Sequence, residues 1–193
     1  VRANGATFAM IRIGFRGYGE AGNIKLDSSF NDNIKNANNA GIKTGIYFFS
    51  QAKNYDEGVA EARFVIDYLN SKNLSKKIQL PIAFDTEKST CKEYPNCGRA
   101  DLISNNDRTL ATLGFVQTIA NSGYKPMIYA SKSWFGDKLN MLMLNQYDVW
   151  LAHYTSGGLS TPSDYNGLYK MWQYTSKGSV PGIKGNVDIS YLY

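Results

Sequence analysis

The chain has 193 residues, 43% of them hydrophobic, which suits one domain with a full core. It contains no run of about 18 apolar residues, so no transmembrane helix is expected. The net charge of +5 comes from scattered Lys and Arg with no dense run, a pattern that argues against nucleic acid and suits an anionic cell wall.

Phe8–Arg16 alternates as a strand, with Ala9, Ile11, Ile13 and Phe15 on one face and Phe8, Met10, Arg12, Gly14 and Arg16 on the other. Arg12 on such a strand either reaches a carboxylate or a ligand, or marks an edge. Gly17, Gly19 and Gly22 form a loop. Ser29–Ala40 is predicted as a helix, with Ser29 as N-cap, Phe30, Ile34 and Ala37 as its stripe, and Gly41 as its stop. Gly45–Phe49 is a short strand that turns Tyr47 and Phe49 one way, Ile46 and Phe48 the other. Asp56–Leu69 is a helix with Val59, Ala62, Ile66 and Leu69 inward.

Leu80–Glu87 carries the chemistry. Leu80, Ile82 and Phe84 share one face; Ala83, Asp85 and Glu87 share the other. Two carboxylates so placed sit about 7 Å apart at the backbone, a separation at which glycosidase acid pairs work. A solvated edge strand with two surface acids is the plain alternative, and the apolar run before the acids argues against it. Thr86–Asn105 is a polar loop holding Cys91 and Cys97, which either close it as a disulfide in an oxidising compartment or remain thiols. With His153 they are too few for a metal site, and no cofactor is expected.

Asp107–Asn121 is a helix with Leu110, Leu113 and Val116 inward and Gly123 as its stop. Met127–Ser131 is a strand presenting Tyr129, Ser133–Leu144 is helical, and Val149–Tyr154 is a strand placing Trp150, Ala152 and Tyr154 on one face. Tyr169–Tyr174 is a strand with Trp172 near its end, and Asn186–Tyr193 is a last strand containing Asp188. Alternating strands and helices predict a parallel α/β sheet or barrel. The last strands leave no room for helices between them, so the expectation is one domain over residues 1–193, an irregular, TIM-like barrel with few helices. At the C-terminal strand ends of such a barrel Arg16, Phe49, Asp85, Glu87, Tyr129, Tyr154 and Asp188 converge. The sequence holds no Gly-x-Ser-x-Gly elbow, phosphate loop or dinucleotide fingerprint, and His153 is its only histidine. The carboxylates remain as the chemical groups.

Beyond Asp85-Thr86-Glu87, several further segments, in order, resemble the glycoside hydrolase family twenty-five muramidases, the Chalaropsis-type lysozymes of phage endolysins and autolysins. They are Phe8–Gly14, Gly45–Ala52 with the helix around Glu61-Ala62, Leu80–Glu87, Tyr124–Ser131, Val149–Tyr154, and Met171–Thr175 followed by Gly185–Ile189. The resemblance implies an irregular α/β barrel, hydrolysis of the β-1,4 bond between N-acetylmuramic acid and N-acetylglucosamine in bacterial peptidoglycan, and a secreted or wall-acting monomer. It implies Glu87 as general acid and Asp85 as partner carboxylate. Asp188 would support them, its charge and that of Asp85 raising the pKa of Glu87. Tyr47, Tyr129, Trp150 and Trp172 would line the sugar groove, with barrel-core packing as their plain alternative; Arg12 joins them as a substrate-binding candidate. The family opens with a strand carrying Asp-Val-Ser and a further acid. Here the sequence opens after it, at Val1–Gly5, so the N-terminal strand is expected to be missing, and Asp27 lies in the next loop. Two alternatives are a non-catalytic wall-glycan-binding domain using the same aromatic groove and a barrel acting on another β-linked amino sugar.

Overall fold

The computed structural model describes residues 1–90 and 97–193. In chain order its elements are β1 (Phe8–Arg16), β2 (Ile24–Leu26), α1 (Phe30–Asn39), β3 (Lys43–Phe49), α2 (Tyr55–Ser71), β4 (Ile82–Asp85), α3 (Asn105–Asn121), β5 (Pro126–Ser131), α4 (Lys132–Asp137), α5 (Met141–Leu144), β6 (Asp148–Ala152), β7 (Met171–Gly178) and β8 (Val187–Leu192). These strands form one curled sheet in the order β2-β1-β3-β4-β5-β6-β7-β8. From β1 to β7 the neighbours β1-β3-β4-β5-β6-β7 are parallel; β2 and β8 are antiparallel edges. The fold is an irregular α/β barrel, and β1 and β8 are not paired with each other among the described residues. The Cys91–Cys97 pairing involves Cys91, which lies outside the described residues.

Strand alternation splits the apolar residues into two layers. Ile46, Phe48, Ile82 and Phe84 turn outward and pack beneath Ala62, Val65 and Leu69 of α2 and Phe115, Val116 and Ile119 of α3. Ala83, Met127, Tyr129, Trp150 and Met171 turn inward as the barrel floor. Helix starts follow local chemistry: the side chains of Asn54, Ser104 and Ser131 each accept a backbone N–H of their own first turn.

Several elements differ from expectation. A bulge in β1 sets Ile13 and Gly14 against Phe48 alone, since the register steps from Arg12↔Tyr47 to Gly14↔Phe48. One extra residue reverses the alternation. Arg12 and Phe15 therefore share the inner side, while Arg16 turns outward to α2. The short β2 was not foreseen. The buried face of α2 is Gly58, Glu61, Ala62, Val65 and Leu69, one residue round from the expected stripe. That of α3 runs through Arg108, Ala111, Thr112, Phe115, Val116 and Ile119, with Leu110 and Leu113 only half-buried. Residues 133–144 split into α4 and α5 rather than one helix.

Candidate active site

Asp85 closes β4, and Glu87 follows two residues later. In register Asp85 lies between Phe49 of β3 and Tyr129 of β5. The next row down is Tyr47, Ala83 and Met127. The acids thus stand at the C-terminal edge of a strand that is paired on both sides. Two adjoining cavities meet at them. One, of about 560 Å³, is lined by Phe8, Met10, Tyr129, Trp150, Gln173 and Asp188. The other, of about 360 Å³, is lined by Arg12, Phe15, Tyr18, Phe49 and Thr90. Tyr47, Asp85 and Glu87 line both, so the two are arms of one cleft with the acids at the junction.

Asp85 is only 4% exposed, and its Oδ1 has no hydrogen-bond partner among the described residues. Burial pushes its pKa well above the usual carboxylate range; the Glu87 charge pushes the same way, against a smaller pull from Arg12. Glu87 is also raised, by burial first and the Asp188 charge second. Asp188, on β8, is raised by partial burial. Like charges in low dielectric disfavour double ionisation, so Asp85 and Glu87 hold a proton to higher pH than either would alone.

The floor is aromatic and fixed. Trp150 meets Tyr129 edge-on at 4.6 Å and Tyr47 at 6.1 Å between ring centroids. Its Nε1–H donates to Ser190 Oγ at 3.1 Å. Gln173 Oε1 accepts from the hydroxyls of Tyr129 at 2.8 Å and Tyr154 at 2.7 Å. Burial raises the pKa of both Tyr129 and Tyr47, the latter to about 12, so both remain neutral donors. One expected groove residue is elsewhere. Trp172, 1% exposed, packs in the outer core, and its Nε1–H donates to the His153 carbonyl at 2.8 Å. Because β7 turns Met171 and Gln173 inward, the period of two sends Trp172 out. His153 sits beside Ser163 at 2.8 Å, away from the cleft lining.

The rim is tied to the start of α2, a feature that sequence inspection missed. Glu61 is fully buried and accepts from Arg16 Nε at 2.7 Å. Arg16 also donates to the carbonyls of Gly22 and Glu57. Arg99 grips both oxygens of Glu57 and donates to the Gln51 carbonyl. The Gln51 amide in turn donates to Ser89 and accepts from the Ala100 N–H. Two glutamates thereby join the loops after β1, β3 and β4. The available signal was Glu61 itself, a charge three residues after Gly58 and four before Val65 on what proves to be the inner face.

The family model described as Glycosyl hydrolases family 25 matches residues 2–183. Among curated proteins, the autolytic lysozyme of Clostridium acetobutylicum is 27% identical over 163 residues, 84% of this chain and 43% of that protein. Lysozyme M1 of Streptomyces globisporus is 29% identical over 194 residues, 97% of this chain and 60% of that protein. The chain thus spans about half the length of these relatives. Among solved structures, the bacterial lysozyme from Streptomyces coelicolor matches with a TM-score of 0.72 and 26% identity, covering 100% of this chain and 83% of that one.

Proposed function

Because the chain belongs to glycosyl hydrolases family 25, we propose that it hydrolyses the β-1,4 bond between N-acetylmuramic acid and N-acetylglucosamine in bacterial peptidoglycan and acts at the cell wall. The observation that carries the proposal is the pair Asp85 and Glu87 at the junction of two cleft arms over an aromatic floor. Glu87, the more accessible of the two, is the general acid. It gives its proton to the glycosidic oxygen as the C1–O bond breaks and the electron pair leaves with that oxygen. Asp85 orients the substrate's N-acetyl group for internal attack or stabilises the positive charge developing on the ring. Water then adds at C1 and returns a proton to Glu87. Asp188 raises the proton affinity of Glu87, and Tyr47, Tyr129 and Trp150 stack on the C–H faces of the sugars.

The test is turbidity loss of a Gram-positive cell-wall suspension, with identification of the sugar at each new reducing end. The expected result is clearance with muramic acid at the new ends, reduced about 10²–10⁴-fold in Glu87→Gln, the usual share of a general acid. Wall binding without clearance by the unsubstituted chain would replace this proposal with glycan binding, and a preference for chitin-type chains would change the substrate.

A further inference from the structure

The two arms of the cleft differ in charge. The arm holding Asp188 has acids but no lysine or arginine among its described lining residues. The other arm holds Arg12 and Arg16. Arg16 is 8% exposed, and Glu61 and two carbonyls occupy its guanidinium. Among the described residues of this arm Arg12 is the available cation, its side chain 45% exposed.

Arg12 is also held in a particular way. Its Nε donates to Asp27 Oδ2 at 2.7 Å. The other Asp27 oxygen accepts the Ser29 N–H at 2.9 Å, so the tether is itself fixed. The guanidinium carbon stands 5.5 Å from the centroid of the Phe15 ring, which the β1 bulge brings to the same side. Only Nε has a protein acceptor; the two terminal nitrogens have none among the described residues. A guanidinium anchored through Nε with its terminal fork open is set for a planar, two-oxygen acceptor.

We infer, on the basis of the muramidase proposal, that the Arg12 arm is a subsite for a carboxylate carried by the glycan. That carboxylate is either the lactyl group of a bare muramic acid residue or an acid of the peptide attached to it. Attraction at Arg12 and repulsion from Asp188 on the opposite arm together fix which way the chain lies. An uncharged N-acetylglucosamine chain gains from neither. The arm thus selects acid-bearing glycan, beyond what the aromatic floor can do, because stacking is indifferent to the substituent.

The experiment measures KM from released reducing ends on soluble wall glycan in four forms. These are chains with peptides, chains stripped of peptides, and each of the two with its carboxylates converted to methyl esters. The unsubstituted chain is expected to show a KM about tenfold lower for a free acid than for its ester, in the range of one charge-assisted contact. The form that shows the difference identifies the carboxylate. Arg12→Met is expected to bring the ratio close to one, and Arg12→Lys to restore part of it. Equal KM values for acid and ester in the unsubstituted chain overturn the inference while leaving the muramidase proposal standing, as does an unchanged ratio in Arg12→Met. No cleavage of any form by the unsubstituted chain overturns both. The ester comparison needs no variant, so a misfolded Arg12→Met does not decide the result.

Discussion

At the scale of single residues the cleft is marked by two neighbouring carboxyls, Asp85 and Glu87, whose pKa values are both raised. In the proposed mechanism Glu87 must carry a proton to donate, so activity is expected to fall as pH rises through its pKa. The negative charge of Asp188 raises that pKa. Asp188→Asn removes the charge, and the alkaline limb of the pH–rate profile is expected to move to lower pH; a limb that stays put would leave burial alone as the cause of the shift. Asp85 supplies a stability test. Its folded pKa lies above the unfolded value, so its contribution to stability is full below the unfolded value, about 3.9, and is lost as pH rises through the folded one. Asp85→Asn has no such loss. It is expected to be more stable than the parent by about 1 kcal/mol near neutral pH while losing catalysis, a usual trade at active sites. Thermal melts at pH 5 and pH 8 check this, because the margin must widen on the alkaline side.

Among the elements, the tightest approach is between α2 and α3. A Cβ on Gly58 would collide with the Ala111 carbonyl oxygen, and one on Gly114 with the Tyr55 carbonyl oxygen. Each glycine gives up helix propensity to let the backbones close. Gly114→Ala is expected to destabilise the protein by about 1–3 kcal/mol despite alanine's better propensity, because packing strain outweighs it; chemical denaturation measures the difference. The same helices show why part of the fold was illegible in sequence. On α2 a buried glutamate reads as a surface residue until its partner is known, and Arg16 is distant in sequence. On α3 two neighbouring layers bury a face wider than one stripe. By contrast β1 as far as Arg12, the inward set of β4 and the opposed faces of β3 were legible, since apolar residues alternating at every second position leave one arrangement. Trp172 was misplaced for a related reason. Met171, Trp172, Gln173 and Tyr174 suit either face, so β7 takes its phase from its pairing with β6 and β8. The β1 bulge has no sequence signal beyond Gly14, yet it decides that Phe15 joins Arg12 on the inner side while the Arg16 guanidinium turns to Glu61 of α2.

For the whole molecule, the charge inside the cleft and the charge outside it are opposed. The surface carries the excess that makes the chain +5, while the junction holds Asp85 and Glu87. A basic exterior draws the protein to an anionic polymer over a distance set by ionic strength. Raising salt from about 50 mM to about 500 mM, which shortens the screening length roughly threefold, is expected to weaken sedimentation with intact Gram-positive walls. A binding isotherm unmoved by salt would mean that stacking, rather than long-range attraction, holds the protein to its target.

β4 is flanked on both sides by parallel neighbours and covered by helices, whereas Arg12, Phe15 and Tyr18 belong to the bulged strand and the loop after it. If the Arg12 arm selects the glycan as proposed, what the protein accepts can be retuned without rebuilding how it reacts. Insertions and exchanges near the bulge are expected to be tolerated across descendants, while the four residues of β4 accept almost none. A directed-evolution library confined to Arg12, Phe15, Tyr18 and Phe49 would explore new glycans while leaving Glu87, the proposed proton donor, unchanged.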